Sequence, residues 1–235
     1  MTVLSIDLAS RRYRDVGIVA LSGSAVSADI QLHDAFELAL SDPPEPAGFV
    51  EAILRFATAV DARLILLDGP QGWRAPESEV PNMRRCEQET RTPGKTGLPG
   101  TVLPRSWTRM VLFSIAVFDA LDAAGWPRFT GSGQLGHDAV ETFPTHAWRT
   151  VGLSPLPAKS KKPPLVSWQQ TLDSVFQLRW SALPTHDQLQ AAIAGVGGLQ
   201  LLEKGAAGCD IRGVPPFKAD MIWREGYILS PRAAV

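Results

Sequence analysis

Three short aliphatic and β-branched runs open the chain, at residues 3–8, 16–21 and 25–32, separated only by polar turns at 10–15 and 22–24. Strands this close in sequence are predicted to pair as an antiparallel meander. After the break Pro43-Pro44-Glu45-Pro46, the apolar residues Phe49, Ile53, Leu54, Phe56 and Val60 recur at helical spacing, and the run at 63–67 follows at once. A continuously aliphatic strand entered from a helix is expected to be parallel, covered on both faces, and next to the first strand. Residues 69–105 lose this periodicity and become rich in Pro, Gly and charge, with one helical piece at 83–91. A long helix is predicted at 106–124, a strand at 139–143 followed by a helix carrying His146, helices at 166–178 and 186–202, and a short closing strand at 225–228. No repeat, low-complexity tract or linker divides the pattern. The expectation is therefore an α/β fold over 1–235 as a single domain, with an irregular insertion at about 69–105. Its mixed central sheet is antiparallel in the first three strands, parallel afterwards, and flanked by helices.

The hydrophobic runs end in acids. Asp7 closes the first strand and Asp68 closes Leu64-Ile65-Leu66-Leu67, directly before Gly69-Pro70. If those strands are parallel neighbours, both carboxylates emerge side by side at the C-terminal edge of the sheet. Like charges that close repel unless a cation sits between them. Hard divalent ions such as Mg²⁺ use one or two such carboxylates together with substrate phosphate oxygens, so the pair points to metal-assisted phosphoryl chemistry. Glu141, at the end of a later strand, and Asp187, at the start of a helix, are candidates to complete the set. The alternative for each acid taken singly is a turn-former or helix cap.

Composition narrows the choice of partner only slightly. With Lys+Arg 23 against Asp+Glu 24, the 235-residue chain carries a net charge of -1, so any polyanion site must be local. Cys86 and Cys209 stand far apart with no metal-ligand spacing, and the N-terminus lacks a basic-then-apolar signal pattern. No apolar run approaches the ~20 residues of a membrane span. A cytoplasmic protein with no membrane partner is expected. The four histidines form no paired zinc spacing, and no GxSxG elbow occurs.

The pieces Ser5-Ile6-Asp7-Leu8-Ala9, Leu66-Leu67-Asp68-Gly69-Pro70-Gln71-Gly72-Trp73, the run at 84–91, the segments at 141–148 and 186–196, and the stretch at 224–231 occur in an order and spacing that carry a resemblance. The chain resembles a bacterial family of predicted ribonuclease H-like nucleases, catalogued as a domain of unknown function. The resemblance implies a ribonuclease H-like fold and an acidic cluster of Asp7, Asp68, Glu141 and an acid on the last long helix, holding one or two Mg²⁺ or Mn²⁺ ions. Asp7, Asp68 and Asp187 are then the metal ligands, and the substrate is nucleic acid or a small phosphoester. Where the family's helix has two aspartates three residues apart, this chain has Asp187 and Gln190. An amide is a weaker ligand than a carboxylate, so a catalytically impaired binding module of regulatory role is the alternative to a nuclease.

Candidate substrate contacts lie in the irregular stretch. Arg84 and Arg91, read as two turns apart on one helical face, form a candidate phosphate clamp, against the plainer reading of a solvated face with an Arg85–Glu89 pair. Lys95 belongs to Thr92-Pro93-Gly94-Lys95-Thr96-Gly97, which lacks the leading glycine and preceding strand of a P-loop and reads instead as a loop able to lie over the site. Trp73 and Trp107 border it as stacking or core residues. Lys159, Lys161 and Lys162 form the one dense basic run, a solvated loop or a backbone-contacting patch.

Overall fold

The computed structural model describes residues 1–131 and 135–233. Strand β1 (Thr2–Asp7) pairs antiparallel with β2 (Gly17–Gly23), and β2 with β3 (Ala28–His33), which is the expected meander. Helix α1 (Pro46–Ala59), begun by a proline that needs no hydrogen-bonded N–H there, leads into β4 (Leu64–Asp68), which runs parallel to β1. The stretch after β4 contains α2 (Arg85–Thr90) and a two-stranded ribbon of β5 (Lys95–Thr96) and β6 (Val102–Leu103). Helix α3 (Thr108–Ala123) then leads to β7 (Asp138–Thr142), parallel to β4. Three helices and three strands follow: α4 (Pro144–Thr150), α5 (Leu165–Phe176), β8 (Leu178–Trp180), α6 (His186–Lys204), β9 (Asp210–Ala219) and β10 (Ile222–Ser230).

The eight-stranded sheet has the order β8-β3-β2-β1-β4-β7-β10-β9. Its antiparallel opening and parallel continuation through β1, β4, β7 and β10 are those of the expected mixed α/β sheet. Both edges depart from the sequence reading. The end of the helix expected at 166–178 becomes β8, which extends the sheet beyond β3. The short closing strand is one arm of a long β9–β10 hairpin. β9 eluded the periodicity because Pro215 and Pro216 and its mixed polarity are tolerable only on an edge strand.

The strand alternation divides the core between the two faces of the sheet. Leu4, Ile6, Ile65 and Leu67 pack with Phe49, Ile53, Val117 and Phe118 beneath α1 and α3. Val3, Leu64, Leu66 and Val140 pack with Trp148, Phe176, Leu189 and Ile193 beneath α4, α5 and α6. Both faces of β1 and β4 are therefore covered, which is why their sequences are continuously apolar. Helix α6 lies unusually close to the sheet. A Cβ on Gly195 would sit 2.3 Å from Leu21 Cδ1, and one on Gly17 of β2 would sit 2.2 Å from the Asp187 carbonyl carbon. Among the described residues no helix is long and apolar enough to cross a membrane.

Candidate active site at the carboxyl edge of the sheet

Ile6 and Leu67 are register partners on parallel strands, so the next residue on each strand is an aspartate. Side chains alternate along a strand. Val3 and Leu64 face α6, and two-residue steps from them reach Asp7 and Asp68, placing both carboxylates on that same face. The two carboxyl groups are close enough to perturb each other. Burial, followed by repulsion from Asp68 and Asp187, raises the Asp7 carboxyl well above its ordinary range. Burial also pushes Asp68 up to about 7, with Glu141 adding to the rise and the hydrogen bond to Asp7 opposing it.

Asp187 reaches this pair through Gly17. Asp7 is the register partner of Gly17, and the missing side chain there lets the first turn of α6 rest on the strand. Thr185 caps the helix, accepting from Gln188 N, while the Gln188 side chain returns to Thr185 N. The Asp187 carboxylate is held by Lys159 Nζ at 2.5 Å and by His186 Nδ1 at 3.1 Å, and His186 Nε2 is 2.9 Å from the Pro157 carbonyl oxygen. Burial would raise Asp187, but the hydrogen bonds from His186 and Lys159 prevail and hold it below its ordinary value.

Glu141 lines the same cavity as Asp68 and adds to the rise of that carboxyl, but it is one residue of register away from the aspartate pair and its own carboxylate is taken up by Arg84. Glu141 pairs with Leu67, whereas the residue beside Asp68 is Thr142. Alternation therefore turns Glu141 to the opposite face, where it meets Arg84. The guanidinium grips both oxygens, with Nη2 at 2.6 Å from Oε1 and Nη1 at 2.7 Å from Oε2, and Gln71 N donates to Oε2 at 2.9 Å. Arg84 Nε donates to Glu87, whose other oxygen receives the backbone N–H groups of Arg84 and Thr96.

The phosphate clamp is corrected. Helix α2 spans only Arg85–Thr90, so Arg84 is its N-cap and Arg91 its left-handed C-cap; the two do not share a helical face. Arg84 is 1% exposed and fully occupied by carboxylates, while Arg91 is exposed. Arg85 pairs loosely with Glu79 at 3.6 Å, and Glu89 accepts instead from Gly213 N. Lys95 Nζ donates to the Thr92 carbonyl and so holds the turn of its own loop. That loop is pinned to Glu87 through Thr96. Trp73 is a core residue with Val102, Val111 and Ile115, whereas Trp107 is exposed enough to line a cavity of about 90 Å³ beside Asp68. Gly94, Met110, Thr142 and Phe143 complete much of its wall.

Gln190 accepts a hydrogen bond from Trp148 Nε1 at 2.8 Å, so the amide is used to anchor α4 against α6. Sequence reasoning missed Gly17 and Lys159 as shapers of the site. Gly17 carries no visible signal in a strand, and Lys159 was legible only as a member of a basic run.

The donor set of Asp7 and Asp68 suits a hard divalent cation: two buried carboxyl groups on adjacent parallel strands, whose oxygens are the ligands such an ion takes and whose burial an ion's charge would offset. Among the described residues, no group of three His, Cys, Asp or Glu side chains stands assembled as a metal cage.

No family model matches the chain, and no curated protein matches it. Two solved structures are similar to it. One, described as Thermus thermophilus RuvC structure, has 13% identity and a TM-score of 0.41, covering 85% of this chain and 94% of that one. The other, described as T. thermophilus RuvC in complex with Holliday junction substrate, has 12% identity and a TM-score of 0.42, covering 87% and 97%.

Proposed function

We propose that this chain is a metal-dependent phosphodiester hydrolase of ribonuclease H-like type, belonging with the bacterial family it resembles and acting on nucleic acid in the cytoplasm, with residues 1–235 as one domain. The observation that carries the reading is the Asp7–Asp68 carboxyl pair, with Asp187 turned toward Asp7 from α6. Asp7 and Asp68 hold one or two Mg²⁺ or Mn²⁺ ions, and Asp187 adds negative charge on the side of Asp7. Bound there, a hard divalent ion supplies Lewis acidity toward phosphoryl oxygens and lowers the pKa of water. His186, fixed between Asp187 and the Pro157 carbonyl, keeps the Asp187 carboxylate turned to the edge. The cavity with Trp107 beside Asp68 receives the portion of substrate next to the reacting phosphate. Exposed Arg11, Arg14, Lys161 and Lys162 offer cations to a polyanion on the loops that flank Asp7 and Asp187.

Asp7→Asn is expected to abolish Mg²⁺-dependent cleavage of single-stranded and structured DNA and RNA while leaving the circular dichroism spectrum of the folded protein intact. An Asn variant as active as the parent rejects the assignment.

A specific observation favours a second reading, a binding module without turnover. Glu141 is consumed by Arg84, Gln190 by Trp148, and Asp187 by Lys159 and His186, so fewer acids are free than the resemblance implies. Calorimetry separates the two readings: no heat on Mn²⁺ titration, with nucleic acid still bound, selects the module.

A further inference from the structure

Lys159 has a place that a surface lysine in a basic loop does not need. Its Nζ lies 2.5 Å from Asp187 Oδ2 and 3.2 Å from Asp15 Oδ1, so it bridges the loop before α5, the turn between β1 and β2, and the start of α6. It is also the cation whose field opposes the rise of the Asp7 carboxyl. An exposed ion pair of this kind is ordinarily worth little. Here the Asp187 side chain is only 12% exposed, and its charge adds to the rise of the buried Asp7 carboxyl, which makes no ion pair among the described residues.

Resting on the metal reading above, we infer that Lys159 is a resident cation of the acidic edge, which a divalent ion must displace and which a substrate phosphate draws away. An ammonium in hydrogen-bond contact with a carboxylate oxygen and a divalent ion approaching that corner are like charges competing for one negative potential. Lys159 therefore weakens metal binding in the free protein. Its side chain is 54% exposed and sits on the turn that carries Lys161 and Lys162, so a nucleic-acid phosphate arriving at that turn offers it another anion. When the lysine turns to the phosphate, Asp187 is released to the metal. By linkage the effect is reciprocal: metal and nucleic acid each strengthen the binding of the other through one side chain.

The test is calorimetric titration of Mn²⁺ into the parent, Lys159→Met, Lys159→Arg and Lys161→Met proteins. Each is titrated with and without a phosphorothioate oligonucleotide that resists cleavage. Without the oligonucleotide, Lys159→Met binds Mn²⁺ about tenfold more tightly than the parent. Lys159→Arg stays close to the parent, and Lys161→Met, which removes the same charge from the same turn, changes affinity by less than about twofold. The oligonucleotide tightens Mn²⁺ binding to the parent and to Lys161→Met by a larger factor than to Lys159→Met, which keeps only the direct contact between ion and phosphate. Equal Mn²⁺ affinity in the parent and Lys159→Met, or equal tightening in Lys159→Met and Lys161→Met, overturns the inference and leaves the metal assignment standing. Absence of Mn²⁺ heat in every protein removes the metal assignment and the inference with it.

Discussion

Two acid sites lie at the carboxyl edge of one sheet, a strand apart, and their chemistry is opposite. On one face, the Asp7 and Asp68 carboxyl groups are both raised by burial, Asp7 further by Asp68 and Asp187 beside it. On the other, Glu141 is gripped at both oxygens by a buried arginine that also serves Glu87. Burial raises Glu141 as well, but Arg84 and the Gln71 N–H oppose the rise. The comparison teaches that an acid at a strand end becomes a candidate ligand only when the protein leaves its charge uncompensated. The Arg84 network has its counter-ion built in, whereas the aspartate pair waits for one from outside.

The largest expected effect breaks the compensated site. Arg84→Met strands Glu141 and Glu87 in the interior without their cation, and chemical denaturation is expected to show a loss of about 3–5 kcal/mol. Were Arg84 a phosphate clamp, the same substitution would leave stability nearly unchanged and weaken nucleic-acid binding instead.

A smaller effect concerns the spacing that assembles the uncompensated site. Gly17→Ala places a Cβ within 2.2 Å of the α6 backbone, so the helix must shift. A loss of about 1–3 kcal/mol is expected by the same measurement. Mn²⁺ affinity falls too, because Asp187 moves away from Asp7; unchanged affinity would show that Asp187 is not part of the ion's surroundings.

The smallest effect has the opposite sign. Asp68 ionises near its ordinary 3.8 when unfolded but at about 7 when folded, so the folded state holds the proton longer. Stability contributed by this group is therefore lost as pH rises from about 4 to about 7. In metal-free buffer at pH 8, Asp68→Asn is expected to stabilise the protein by about 1–2 kcal/mol, and the gain should vanish by pH 4. Thermal unfolding across that range checks it, and a pH-independent difference would deny that burial raises the Asp68 carboxyl.

Much of this architecture was legible in the chain. The run Leu64-Ile65-Leu66-Leu67 announced a strand covered on both faces, and Asp7 and Asp68 at equivalent ends announced their meeting. Glu141 was misplaced because a period-2 pattern gives the faces of one strand but not its register against the next; a single step separates Thr142, beside Asp68, from Glu141, beside Leu67. Arg84 was misread because α2 is shorter than its polar pattern suggested, and an arginine surrounded by carboxylates looks the same in sequence as one surrounded by solvent.

By itself, then, the sequence determined the alternation of strands and helices, the central β1–β4 pair and the acids that end it, since all of these follow from local periodicity and chain order. Tertiary structure alone decided which acids are neutralised. Charge compensation depends on residues distant in sequence, Arg84 for Glu141 and Lys159 for Asp187, and on a helix brought within contact of Gly17. Coulomb energy depends on separation in space, and no pattern along the chain encodes that separation.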